Sequence, residues 1–173
     1  MNRCHKINSI RLILWICLVF VLPFSVFGDE IEVRVSHGDD DAEENLITGD
    51  TYLSHRDLEM TWGDDDQIIG LRFLNIAIPS GAVVTNAYVA FKAAGDESDA
   101  THLVIRGEDS DDAGRFAANN RDIIDRAVTN GFVNWHVPPW NGNLTYETPD
   151  LTPLVQEIIR RGGWVPGNDM AFV

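Results

Sequence analysis

The carboxylates are the side chains of this chain that are most suited to bind a ligand or to react, because they occur in four dense clusters. The clusters span residues 39–44, 64–66, 96–99 and 108–112. Oxygen ligands at this density suit calcium, which takes about six to eight oxygens at flexible geometry. The sequence therefore predicts a structural calcium ion, with two candidate ligand sets: Asp39, Asp41 and Glu43, and Asp109, Asp111 and Asp112. The alternative is that each cluster is a solvated acidic loop that keeps the protein soluble.

Motifs of calcium binding and of catalysis do not accompany these clusters. An EF-hand loop that started at Asp109 would have Ala113 and Asn120 where two ligands belong. The sequence also lacks the zinc-protease helix motif, the nucleophile elbow and the phosphate-binding glycine loop. A carboxylate pair for glycoside hydrolysis stays open as a minor alternative, because 27 acidic residues offer many pairs. The sequence favours a protein that is not an enzyme.

Aromatic residues are the second feature that could bind a ligand, because their flat apolar faces can stack on sugar rings. Trp135 lies on the predicted inward face of a strand, which favours a core position for it. Trp140 follows two prolines in a predicted loop, which predicts an exposed platform with Tyr146 beside it. Arg106 and His136 lie on outward faces and could add polar contacts to the same ligand.

The composition restricts the class of protein and of partner. A length of 173 residues with 45% hydrophobic content predicts one globular domain with a packed core. The 13 basic and 27 acidic residues give a net charge of −14, which argues against a nucleic-acid partner. Cations are the partners that this charge favours.

The first 28 residues predict a secretory signal peptide. Three basic residues and no acidic one lie within residues 1–11, and an unbroken apolar run over residues 12–22 follows them. A proline and small residues come after the run. We predict cleavage after Gly28, so that no membrane span remains. The alternative is an uncleaved anchor over residues 10–27. Cys4 and Cys17 both lie in this segment, so the mature chain has no disulfide, and loss of its three basic residues makes the net charge −17. The predicted location is extracellular, either secreted or at the cell surface.

Residues 29–173 predict a single all-β domain, a jelly-roll-like antiparallel β-sandwich with one short amphipathic helix near the C-terminus. Apolar residues alternate with polar ones in six runs separated by acidic or glycine-containing loops. These runs lie at residues 31–35, 58–62, 68–78, 83–91, 101–108 and 132–137. Apolar residues at helical spacing predict one helix over residues 151–161, capped by Asp150 or Thr152. A weaker helical turn is predicted over residues 121–127, capped by Asn120.

The C-terminus predicts a truncated fragment. Residues 169–173 read as the opening of a strand, and the chain stops before a turn or partner strand could cover its apolar edge. We therefore expect that the natural reading frame continues with at least one more strand and that neighbouring domains follow.

Two stretches resemble one known family of extracellular modules. GLRFLNIAIPSGAVVTNAYVAF at residues 70–91 is similar to the centre of DNRLRE-type β-sandwich domains, and VNWHVPPW with the segment 148–173 is similar to their later half. The resemblance implies a non-catalytic module, similar to carbohydrate-binding modules, that accompanies other domains on secreted or surface proteins. The predicted function is therefore binding of a polysaccharide or another cell-surface polymer. The alternative is a structural or adhesion module of a larger protein with no small ligand.

Overall fold

The structure is a computed structural model of the full chain and describes residues 5–18, 27–53, 58–60 and 66–173. Within these residues the chain forms antiparallel strands and one short helix, which confirms the predicted all-β class. In chain order the elements are β1 (His5–Leu18), β2 (Phe27–Arg34), β3 (Asp41–Asn45), β4 (Thr51–Leu53), β5 (Leu58–Met60), β6 (Gln67–Phe73), β7 (Val83–Ala93), β8 (Thr101–Ile105), β9 (Val133–Val137), β10 (Thr145–Glu147), α1 (Thr152–Ile159) and β11 (Met170–Phe172).

Two sheets and a two-stranded ribbon enclose the main core. The first sheet has the order β10-β7-β1-β2, with β5 also paired to β1, and the second has the order β11-β6-β3-β4. The ribbon consists of β8 and β9. Buried side chains from both sheets, such as Leu14 and Phe73, join Trp135 of the ribbon in one apolar cluster. Burial of this apolar surface is the main force that holds the layers together.

Alternation of apolar and polar residues predicted several strands correctly. β2, β7 and the ribbon strands lie where the pattern places them, and Trp135 is buried as predicted. The run at residues 68–78 is strand only as far as Phe73, although Ile76 and Ile78 beyond it are fully buried. In the run at residues 58–62, β5 covers the first three, and the last two lie outside the described residues.

The apolar N-terminal segment is the central strand of the first sheet. β1 pairs with β2 on one side and with β7 on the other, and β5 pairs with its first residues. Ile10, Leu12, Leu14 and Ile16 of β1 are buried in the main core. Cleavage after Gly28 stays a prediction, and residues 19–26, before the predicted cleavage point, lie outside the described part of the chain. Among the described helices, none has the length and apolar character needed to cross a membrane.

The first acidic cluster is a strand from Asp41 onward, so the alternative interpretation of these residues as a solvated acidic loop is wrong. β3 pairs with β4 and β6, and Glu43 and Glu44 are buried. The carboxylate of Glu44 accepts hydrogen bonds from the Thr51 hydroxyl at 3.1 Å and from the Ile123 N–H at 2.7 Å. These donors satisfy a charge that could not otherwise be buried.

The predicted helical turn at residues 121–127 is present as hydrogen-bonded turns, in which the Asp125 N–H donates to the Arg121 carbonyl at 3.4 Å, but its predicted cap is wrong. The amide of Asn120 donates instead to the carbonyl of Thr48 at 2.9 Å. Glu44, which lies 79 residues before Ile123 in the chain, accepts the amide hydrogen that a cap would have satisfied. A cap supplied from a distant strand leaves no local sequence pattern.

The helix α1 agrees with its prediction. Leu154, Val155, Ile158 and Ile159 are buried in the main core, and Pro153 lies in the first turn. The residue before the helix, Leu151, makes no side-chain cap. The carboxylate of Asp150 accepts the first helical N–H, that of Thr152, at 2.9 Å, as the sequence led us to expect.

The C-terminal segment forms the strand β11, but its edge is not uncovered. β11 pairs with β6 on one side. On the other side its backbone bonds to the segment after β8: the Arg106 N–H donates to the Val173 carbonyl at 2.7 Å, and the Glu108 N–H donates to the Ala171 carbonyl at 2.9 Å. The expectation of an unprotected apolar edge is therefore wrong.

Candidate functional site: an aromatic cleft

A polar concavity lies where the loop after β7 meets the loop after β9. We call it the aromatic cleft. It has a volume of about 340 Å3 and is lined by Asp96, Glu97, Ser98, Asp99, Pro139, Trp140 and Asn141. Carboxylate and amide oxygens therefore face a shared space with an indole and a proline ring.

Backbone pairing holds the two walls of the aromatic cleft together. The Glu97 N–H donates to the Trp140 carbonyl at 2.7 Å, and the Trp140 N–H donates to the Glu97 carbonyl at 2.6 Å. The carboxylate of Asp96 accepts the N–H of Gly142 at 2.8 Å. The phenol oxygen of Tyr146 accepts the N–H of Asn141 at 2.7 Å. These bonds fix both loops before any ligand arrives, which lowers the entropic cost of binding.

Trp140 is not the exposed platform that its position after two prolines predicts. Only 2% of it is accessible, because its ring stacks on that of Tyr146 with centroids 5.1 Å apart and lies against Phe91 and Trp135. It therefore connects the main core to the cleft, and almost none of it is accessible from the space outside. Tyr146 is half-buried beside it, as predicted.

The structure places Arg106 and His136 away from the aromatic cleft. Both belong to the outward face of the ribbon and the residues that flank it, where the rings of His102 and His136 stack at 4.3 Å. The guanidinium of Arg106 lies over the ring of Phe132 at 5.1 Å and donates to the carbonyl of Thr129 at 2.8 Å. Of the four predicted ligand-binding residues, Trp140 and Tyr146 are therefore together, whereas Arg106 and His136 lie elsewhere and at different positions along the ribbon.

The first predicted calcium set lies at the start of β3, with Asp39 before the strand and Asp41 and Glu43 within it. Asp39 forms an ion pair with Arg115 at 2.9 Å, and the buried carboxylate of Glu43 accepts the N–H of Glu59. Burial is the main cause that raises the pKa of Asp41 above its usual value, and the charges of Asp40, Glu43 and Asp39 raise it further. A cation at this place would relieve that repulsion.

The second predicted calcium set is bound by donors within the protein. The guanidinium of Arg161 contacts Asp109 and donates to Asp111 at 2.8 Å. These acids raise the pKa of Arg161, chiefly through the hydrogen bond to Asp111. Asp112 accepts the N–H of Asp169 at 2.8 Å. Across the described ranges, no three or more His, Cys, Asp or Glu side chains are grouped so that they could hold a metal ion.

A second cavity, of about 290 Å3, lies between the sheets and the ribbon and is apolar. Met60, Ile69, Phe91, Trp135 and Phe172 are among the side chains that line it. Such a lining offers burial of apolar surface and few polar contacts that could orient a ligand.

Sequence reasoning noticed the acidic residues 96–99 but did not connect them with Trp140. The two parts of the aromatic cleft are about 40 residues apart in the chain and share no motif. The glycines that follow each strand, Gly95 and Gly142, are the only local sign: a Cβ added to Gly142 would lie 3.2 Å from the backbone of Gly95. That close approach favours a residue without a side chain at position 142, whereas a Cβ at Gly95 would meet no atom within 4 Å.

Comparisons with known proteins identify no relative. No family model, no curated protein and no solved structure matches the chain. The similarity of residues 70–91, 133–140 and 148–173 to DNRLRE-type modules therefore stays a prediction from the sequence.

Proposed function

We propose that this chain is a non-catalytic, extracellular β-sandwich module that binds a polysaccharide at the aromatic cleft. The observation that carries the proposal is the meeting of Trp140 and Pro139 with three carboxylates and an amide around one space of about 340 Å3. Sugars need an apolar surface for their C–H face and acceptors for their hydroxyls. The exposed ring of Pro139, next to the buried Trp140, supplies the first, and the carboxylate and amide oxygens supply the second. The predicted signal peptide and the resemblance to DNRLRE-type modules are further support.

The charge of the aromatic cleft favours particular polymers. Asp96, Glu97 and Asp99 surround the space, and Lys and Arg are absent from its lining. Like charges repel, so neutral or amino-substituted polysaccharides fit better than acidic ones. The volume lies at the low end of the range of about 300–1,000 Å3 for ligand pockets, which suits a short segment of a chain.

Native affinity electrophoresis tests the proposal. The full chain is run through gels that contain neutral, amino-substituted or acidic polysaccharides, and retardation measures binding. The variant Trp140→Phe should weaken retardation by about tenfold, which corresponds to about 1.4 kcal/mol. Trp164→Phe is the matched control, because Trp164 is equally buried but bonds to the carbonyl of Ile78 outside the cleft.

Three outcomes of this test are informative. Retardation that Trp140→Phe reduces and Trp164→Phe does not supports binding at the aromatic cleft. Retardation by no polymer would reject the proposal. Release of reducing ends from a retained polymer would reject its non-catalytic part.

The alternative is a structural or adhesion module with no small ligand, docked to neighbouring domains. The observation that favours it is the outward face of the ribbon, where Val104 is 52% and Phe132 53% accessible. Large exposed apolar side chains on one face indicate a protein contact. Val104→Ser would then weaken attachment to the neighbouring domain and leave polysaccharide retardation unchanged.

A further inference from the structure

β1 is both an inner strand of the first sheet, paired on both sides, and the segment predicted to be removed. Its residues from Ile7 to Cys17 pair with β7, and those from Arg11 to Leu18 pair with β2. Loss of β1 would leave the facing edges of β2 and β7 without partners and would open the main core. Exposed strand edges next to apolar surface readily recruit another strand.

We propose that the mature domain binds, at the position of β1, an extended strand donated by a separate polypeptide. The inference rests on the predicted export and signal cleavage of the proposed function. The strand would lie antiparallel to both β2 and β7, as β1 does. Strand addition of this kind gains affinity from backbone hydrogen bonds and specificity from alternate side chains.

The residues that lie beside β1 determine which side chains the donated strand needs on the side that faces the core. Leu12 lies opposite Val33 and Val89, and Leu14 lies opposite Ile31 and Ala87. Both leucines are fully buried. The donated strand therefore needs apolar side chains at alternate positions, with no charge among them.

The other side of the strand faces acidic residues. Glu32 lies opposite Ile13, and Glu30 lies opposite Trp15. In the structure, Arg11 of β1 forms an ion pair with Glu32 at 3.4 Å. A basic residue at the Arg11 position of the donated strand would make the same contact.

This charge pattern favours a different protein over a second copy of the same chain. The mature chain has 10 basic residues against 27 acidic ones. Two such chains repel each other, and a donated copy of β2, with its own Glu30 and Glu32, would place like charges opposite each other. A strand with a basic residue on its outer side avoids this repulsion.

Strand exchange in the full chain tests the inference. A protease recognition sequence replaces residues 19–26, the purified protein is cut there, and the probe is a labelled peptide with the sequence of residues 7–18. Two peptide variants provide the comparison. Leu12→Asp with Leu14→Asp alters the buried side, whereas Trp15→Ser alters a residue that is 41% exposed.

We expect the cut protein to stay folded with β1 held non-covalently and to exchange it for the labelled peptide. The double aspartate peptide should bind at least 100-fold more weakly, and the Trp15→Ser peptide should bind within about tenfold of the original. Size-exclusion chromatography measures the labelled peptide bound to the protein, and circular dichroism measures whether the cut protein stays folded.

Four results would overturn the inference. One is that β1 dissociates from the cut protein and the remaining domain still melts cooperatively at an unchanged temperature. The domain would then be stable with no strand at the position of β1. Another is unfolding of the cut protein that excess peptide does not reverse. A third is a domain-swapped dimer of the cut chain. The last is an exported protein whose N-terminal sequence still includes residues 1–28. Polysaccharide retardation of the uncut chain is measured separately, so failure of the proposed function is distinguished from failure of strand binding.

Discussion

Replacement of Arg72 by methionine should destabilise the fold strongly, because this arginine neutralises a buried carboxylate. Its guanidinium donates to Asp40 at 2.6 Å, to the carbonyl of Ala113 at 2.7 Å and to Asp169. The side chains of Arg72 and Asp40 are only 12% and 2% accessible. Removal of one partner of a buried ion pair costs about 3–5 kcal/mol, since the other charge stays buried without compensation.

The assay is equilibrium unfolding of the full chain in urea at pH 7, with a thermal melt beside it. For a domain of this size the expected loss corresponds to a fall in Tm of about 6–20 °C. The double variant Asp40→Asn with Arg72→Met should recover at least about 1 kcal/mol, because it leaves no buried charge at Asp40.

The matched control is Arg121→Met, which breaks the exposed ion pair between Arg121 and Asp125. Its side chains are 50% and 61% accessible at a separation of 2.8 Å, so the change should cost less than about 1 kcal/mol. Equal costs for Arg72→Met and Arg121→Met would refute the reasoning that burial decides the effect.

Two further predictions concern the first acidic cluster. Burial and neighbouring charges raise the pKa of Asp41 in the folded protein. Asp41 therefore binds a proton more tightly in the folded protein than in the unfolded chain. The free energy of unfolding accordingly falls as the pH rises through the folded-state pKa. Asp41→Asn should therefore raise Tm at pH 7, and the gain should vanish below the ordinary value of 3.8; a melt that is unchanged at pH 7 would contradict this. If the cluster binds calcium, about 100 Kd of the ion should stabilise the chain by about 2.7 kcal/mol. Asp39→Ala with Asp41→Ala should abolish that shift, and an equal shift in the double variant would exclude this site.

The sequence predicted those strands and that helix in which the buried residues recur at the regular spacing of the element. The alternation around Val33 and Val89 and the helical spacing of Leu154 and Ile158 result from one buried face each, so residue types alone reveal them. β3 escaped prediction because its buried face carries Glu44, whose charge is satisfied by donors at Thr51 and Ile123. Tertiary hydrogen bonds of this kind have no signature in the strand itself.

The N-terminal segment and the aromatic cleft show two other limits of local reasoning. The apolar run of β1 matches a leader and a core strand equally well, because both require apolar side chains. Trp140 follows two prolines, which correctly indicates a loop. Its burial results from stacking on Tyr146 and contact with Phe91, and neither contact can be read from spacing.

The pairing of β11 with β6 has a consequence for synthesis of the protein. Phe172 lies opposite Leu71, and the Arg72 contact to Asp169 spans 97 residues. Closure of such long loops costs chain entropy before any contact repays it, so folding of this topology is expected to be slow. The second sheet cannot acquire its edge strand until the ribosome has added residues 170–172. During translation the chain therefore passes through an interval in which β6 has no partner on that side. A process that requires an unfolded chain could act during that interval.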